Sequence, residues 1–233
     1  MKAGTHFHHA VVLAGVVRDA ASQARIAHAL VEIMSGPPKF RAKVQALAAG
    51  PTWLRQPERI DRTWSQADGI FTFVDLPLGQ YRLRVSVVDL APTDFRLWGS
   101  LLTTPPDDYR RRVAERDLGT RYGVVEIGPI QTHAHKKGQP VLVARADVAL
   151  PPTRLHGIVT HQITGDPIAG ARVRLRGDTQ VVVTPDDGLY ELTRLVKGAP
   201  NLEVAAANFV TFVKKVELAA GQDRTEDIQL APV

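Results

Sequence analysis

The chain carries one pattern twice, and that repeat limits the fold more than any other feature. Gly15 and Ala29 are 14 positions apart, and so are Gly157 and Ala171. Asp68 and Gly79 are 11 apart, as are Asp187 and Gly198, and Gly79–Val85 and Gly198–Val204 both span 6. Residue types match around these anchors: Leu13-Ala14-Gly15-Val16-Val17 pairs with Leu155-His156-Gly157-Ile158-Val159, and Asp68-Gly69-Ile70-Phe71 with Asp187-Gly188-Leu189-Tyr190. The spacing differs only between the alanine and the Asp-Gly, at 39 positions in the first copy and 16 in the second, so the first copy holds a 23-residue insertion. Two units of one fold type are expected.

The period inside each copy is that of strands. Val31 and Ile33 alternate with Glu32, and Val173 and Leu175 with Arg174, which places one face in a core and the other outward. Asp-Gly between apolar runs marks a tight turn, since Gly accepts positive φ and Asp bonds its own backbone. Many short strands at this spacing predict an all-β chain of two tandem Ig-like β-sandwiches. Lys39 to Ala49 places Phe40, Val44 and Leu47 at helical spacing, with Gly50-Pro51 as a stop, so the insertion (about 36–63) is read as irregular or short-helical. A second short helix over Tyr109 to Arg116 is expected behind an Asp107 or Asp108 cap. The segments from Gly123 to Ile130 and from Val141 to Leu150 read as the last two strands of the first unit. The expected organisation is an N-terminal arm (1–9), a first sandwich (10–150), a semi-rigid proline linker (151–153) and a second sandwich (154–233).

These motifs resemble the carboxypeptidase regulatory-like, or transthyretin-like, domain. The second copy carries the resemblance best, in Gly157-Ile158-Val159, Thr164-Gly165-Asp166-Pro167-Ile168, Gly170-Ala171-Arg172-Val173, Asp187-Gly188-Leu189-Tyr190 and Gly198. Pro200 stands where the pattern has a tyrosine, which the first copy supplies as Tyr81. The resemblance covers about residues 10–88 and 153–232. It implies a transthyretin-like sandwich and a non-catalytic module. A looser resemblance, to proteins accompanying phage-tail-like contractile injection systems, rests on Pro38-Lys39-Phe40, Trp53, Arg59-Ile60-Asp61-Arg62-Thr63 and Ala67-Asp68-Gly69.

The net charge of +5 is unevenly placed. Residues 1–150 hold 20 Lys and Arg against 14 Asp and Glu, or +6, whereas residues 151–233 hold 9 against 10. In the first unit Arg55, Arg59 and Arg62 flank Trp53 and Trp64, and Arg110, Arg111 and Arg112 follow Tyr109. Arginine with aromatics is a frequent interface composition, and these nine residues are candidate protein contacts. Weak nucleic-acid binding by the basic first unit is an alternative, though nucleic acid is not the expected partner. A carbohydrate platform built on Trp53, Trp64 and Trp98 is another. Alternation puts Arg172, Arg174 and Arg176 on one strand face, the outward one, where they could anchor an acidic partner.

Catalysis finds little support. The chain has no cysteine, and it lacks a Gly-x-Ser-x-Gly elbow, a His-Glu-x-x-His helix motif, a phosphate loop and a dinucleotide fingerprint. It ends in Gln229-Leu230-Ala231-Pro232-Val233, not in the Tyr-Arg-Gly-Ser of transthyretin-like hydrolases. No cofactor is expected. His6 and His8, with His133 and His135, would form a metal site only if their two segments paired, and structural or solvated histidines are the preferred reading. Asp186-Asp187-Gly188 reads as a turn and lacks a calcium loop's acidic ladder. The apolar run Ala10–Val17 is too short to span a membrane. It has no clear signal-peptide character, so a cytoplasmic protein or part of a released particle is expected. The partners expected are other proteins of an assembly, and a homo-oligomer is compatible with the sequence.

Overall fold

The computed structural model describes residues 10–50, 59–87, 121–133 and 142–233. It divides into two compact units, residues 1–118 with 124–150, and residues 119–123 with 151–233.

In the first unit the strands are β1 (Val11–Asp19), β2 (Ala29–Ser35), β3 (Arg62–Trp64), β4 (Ile70–Val74), β5 (Gln80–Val87), β6 (Val125–Gln131), β7 (Ala144–Arg145) and β8 (Val148–Leu150). One sheet runs β4-β1-β7, with β8 continuing β7 along β1, and the other runs β3-β2-β5-β6. Helix α1 (Pro38–Ala48) follows β2. The second unit has β9 (Arg154–His161), β10 (Arg172–Leu175), β11 (Val181–Val183), β12 (Leu189–Thr193), β13 (Asn201–Ala205), β14 (Phe212–Lys215), β15 (Asp223–Thr225) and β16 (Ile228–Leu230). Its sheets run β12-β9-β15, with β16 also on β9, and β11-β10-β13-β14. The two topologies coincide strand for strand, and in both the last two strands run parallel to the first. Each unit is a β-sandwich of two four-stranded sheets, and the chain is all-β apart from α1 among the described residues.

Alternation built both cores. Leu155 and Val159 from β9, Tyr190 and Leu192 from β12, and Ile228 and Leu230 from β16 meet Val173, Leu175, Leu202 and Val204 of the opposite sheet. Leu13, Val17, Phe71, Phe73, Val31, Ile33, Leu83 and Val85 hold the matching positions in the first unit and are buried.

The repeat extends to single hydrogen bonds. Ser65 Oγ accepts from the Ala29 N–H (2.8 Å) and donates to the Ile26 carbonyl (2.8 Å). Thr184 Oγ1 accepts from Ala171 (2.9 Å) and donates to Ile168 (2.6 Å). The Asp147 carboxylate accepts the Val16 N–H at 3.1 Å, as Asp227 accepts Ile158. Gly15 and Gly157 are required for another reason. A Cβ would lie 2.0 Å from the Ala146 carbonyl oxygen in one case and 2.2 Å from that of Glu226 in the other. At these points the closing strand swings toward β1 or β9, and no side chain fits between.

Several expectations are corrected. The strand expected over Val141–Leu150 is two short strands, because at Ala146-Asp147 the chain breaks the ladder to accept the Val16 amide. The helix is present, but only Phe40 of its expected apolar face is buried, while Leu47 is exposed. Phe40 packs edge-on against Tyr81, with ring centroids 5.4 Å apart. The prolines expected as a semi-rigid linker belong to the second compact unit. Thr153 is fully buried, its N–H donates to the Arg121 carbonyl (2.8 Å), and the Gly123 N–H donates to Pro151 (2.8 Å). The N-terminal arm and the helix expected at Tyr109–Arg116 lie outside the described residues.

Candidate functional site

The outer faces of the β3-β2-β5-β6 and β11-β10-β13-β14 sheets occupy equivalent places in the repeat, yet they are built oppositely. In the first unit the register sets Arg62 opposite Glu32, Glu32 opposite Arg84 and Arg84 opposite Glu126, a row of alternating charge across four strands. In the second unit the same row reads Val181, Arg174, Glu203 and Val213. The two central positions thus carry opposite charges in both units, with the polarity reversed.

The first unit's face is buried over β3 and β2, while Arg84 is half-buried and Glu126 exposed. Leu30, Glu32, Arg62 and Ser86 are all buried, and so are Arg59 and Asp61 of the turn leading into β3. Arg59 and Asp61 form a two-pronged pair, Nε to Oδ1 at 2.9 Å and Nη2 to Oδ2 at 3.0 Å. Burial raises the Glu32 carboxyl above the ordinary carboxylate range, and Arg84 and Arg62 pull it back only in part. Arg59 and Arg62, candidate contacts by sequence, are therefore internal parts of this unit and not presented to a partner. An arginine in a polar stretch reads as solvated, and only the register with Glu32 shows why these two turn inward. Trp64, opposite Leu30 on the same face, is half-buried. Trp53, Arg55, Tyr109, Arg110, Arg111, Arg112 and Trp98 lie outside the described residues.

The second unit's face is open. Arg172, Arg174 and Arg176 project from it, exposed, as the alternation predicts. Val181 and Val183 flank them on β11, at 42% and 56% exposure, and Val213 on β14 is 45% exposed. Lys215, opposite Asn201, adds another cation. Glu203 sits at the centre. Its Oε1 accepts from Arg174 Nε (3.0 Å) and Nη2 (2.5 Å), and its Oε2 from Arg176 Nε (2.7 Å). Hydrogen bonds from Arg176 and then Arg174 hold this carboxyl below the ordinary range. Among the described residues no carboxylate pairs with Arg172. The face thus presents four cations, two of them bonded to Glu203, with valines at both edges.

The unit's other outer face sets one arginine between two carboxylates. Arg154 on β9 pairs with Glu191 of β12 (2.7 Å) and Asp223 of β15 (3.3 Å), and His156 lies 3.1 Å from Asp223. Sequence reasoning found the three arginines but missed Glu203 and the valines. Val181-Val182-Val183 is an unbroken apolar run, so period two cannot say which residue turns outward.

Residues 154–231 match the family model of the carboxypeptidase regulatory-like domain. The match spans the whole second sandwich except its first bonded segment and last two residues. No curated protein matches the chain. Among solved structures, the chain is similar to one from a type II cohesin–X-dockerin complex of Acetivibrio cellulolyticus, with 24% identity, 34% of this chain and 58% of that one covered, and a TM-score of 0.30. It is also similar to a streptococcal ancillary pilin (14%, 96% and 62% covered, 0.31) and to the shaft pilin spaA of Lactobacillus rhamnosus GG (9%, 96% and 97%, 0.36). The alignments span less than two thirds of the first two structures' chains. All three TM-scores are too low for function to be read across.

The remaining candidates are placed as follows. His133 is exposed, and His6, His8 and His135 lie outside the described residues. Among the described residues no group of three or more His, Cys, Asp or Glu could hold a metal ion. Asp187 Oδ1 accepts the Leu189 N–H at 3.0 Å and Gly188 has φ +70, so Asp186-Asp187-Gly188 is a turn. No helix among the described residues is long and apolar enough to cross a membrane.

Proposed function

We propose that the protein is a non-catalytic scaffold that binds other proteins, and that its second sandwich presents the β11-β10-β13-β14 outer face to them. One observation carries this reading: the face that the first unit buries in part, Glu32 and Arg62 included, is left bare in the second and is cationic with an apolar margin. Exposed apolar residues beside arginine are a frequent interface composition, and Glu203 holds two of the arginines in place before any partner arrives. A rigid, pre-ordered surface suits docking. The match of residues 154–231 to a domain family met as an accessory module supports the non-catalytic reading.

The insertion motif of the first unit suggests which assembly this is, a phage-tail-like contractile injection apparatus. That assignment rests on the motif alone. Affinity recovery from the native source followed by mass spectrometry tests both levels. Co-recovered proteins support the scaffold. Sheath, tube or baseplate proteins among them support the apparatus, and their absence from the recovered set removes it.

A further inference from the structure

The geometry points to the chemistry of the partner: we infer that the open face of the second unit takes an acidic polypeptide segment, extended along β10, with a carboxylate at every second residue. This rests on the reading of that face as a protein-binding surface.

Three features converge on this ligand. The first is charge: Arg172, Arg174, Arg176 and Lys215 share the face with Glu203, which bonds only Arg174 and Arg176. Glu203 engages Nε and Nη2 of Arg174 and Nε of Arg176, and a guanidinium has five N–H donors, so donors remain for a second carboxylate. The second is spacing. Alternate residues of β10 are about 6.6 Å apart along the strand, which is also the repeat of alternate side chains in an extended ligand. The third is the apolar margin. Val181 and Val183 on one side and Val213 on the other offer contact to the methylene stems of the acidic side chains that face the arginines. That margin favours a polypeptide over a nucleic-acid backbone, whose sugar and phosphate would leave three exposed valines without complement.

The first unit gives an internal precedent. There the equivalent strand β2 carries Glu32 where β10 carries Arg174, and Arg62 and Arg84 face it from both sides. Leu30, the equivalent of Arg172, is buried there. This sheet face is therefore buried in part in the first unit, and in the second unit the excess charge calls for a partner of opposite sign.

Labelled peptides in which Glu alternates with Val, or Lys alternates with Val, are titrated against the full chain, with backbone amide shifts read by NMR. The Glu-Val peptide is expected to bind and to shift Arg172–Leu175, Val181–Val183 and Asn201–Ala205, while the Lys-Val peptide does not bind. Arg172→Glu is exposed and breaks no ion pair, and it is expected to weaken binding roughly tenfold. Val183→Asp is expected to weaken it as well. Failure of the Glu-Val peptide to bind, or shifts confined to another surface, overturns the inference. Tighter binding of single-stranded DNA at the same residues, insensitive to Val183→Asp, overturns it in favour of phosphate. If the peptide fails while the native source still yields co-recovered proteins, the inference falls and the scaffold reading stands. Recovery of the chain alone fails the scaffold reading itself.

Discussion

Single residues carry the sharpest expectations. Adding one methyl at Gly157 drives it into the Glu226 carbonyl, and at Gly15 into that of Ala146. Gly157→Ala and Gly15→Ala are each expected to cost about 1–3 kcal/mol in denaturant unfolding, and a change near zero would show that the closing strands can shift aside. Thr184→Ala removes the group that serves both a buried N–H and a buried carbonyl. Its expected cost is about 1–3 kcal/mol, with Thr184→Ser restoring most of it. Tyr190 is a subtler case. Its hydroxyl donates to the Glu226 carbonyl at 2.6 Å, and burial pushes the phenol well above its ordinary range. The equivalent Phe71 of the first unit makes no such bond, so the hydroxyl refines this core and does not define the fold.

At the scale of elements, the two charged rows predict opposite responses to pH. The Glu203 carboxyl is depressed by Arg176 and Arg174, and that of Glu226 by Lys214 and then Arg224. Because their folded-state pKa lies below the unfolded value, both stabilise the fold above the unfolded pKa and lose that contribution as pH falls through the folded one. Glu32 is raised by burial, so its contribution is present at low pH and fades as pH rises through its folded pKa. Hydrogen exchange on the full chain should therefore show β13 and β14 losing protection on acidification while β2 does not; a uniform loss would contradict this. The buried Arg59–Asp61 pair gives a further test. Asp61→Ala leaves a guanidinium in the interior and is expected to cost about 3–5 kcal/mol in unfolding. A near-neutral result would mean that the turn into β3 lets the charge reach water. Much of this level was legible in the sequence. Equal spacings located the paired strands, and alternation assigned Val31, Ile33, Val173 and Leu175 to cores. Local pattern does not report what covers a sheet's second face, so Arg59 and Arg62 read as surface until the register set Arg62 against Glu32. The Ala146-Asp147 break is equally silent, since it answers a distant glycine and not its neighbours.

On the scale of the whole molecule, one sandwich plan has been used twice and finished differently. The copy with the insertion buries part of an outer face, with Glu32 and Arg62 inside it. The shorter copy leaves the equivalent face exposed, with arginines ordered by a single glutamate. The excess charge read from composition belongs to residues 1–150, yet the face best suited to a partner lies on the unit whose total is near neutral. Local arrangement outweighs net charge here. One face of the second unit sets Arg154 between two carboxylates while the other keeps an excess of cations. The most direct measurement is affinity recovery from the native source with the unaltered chain and with Arg172→Glu side by side. The account predicts co-recovered protein with the first and its marked loss with the second, at unchanged thermal stability. The unaltered chain recovered alone, or the same partners retained by Arg172→Glu, would contradict it.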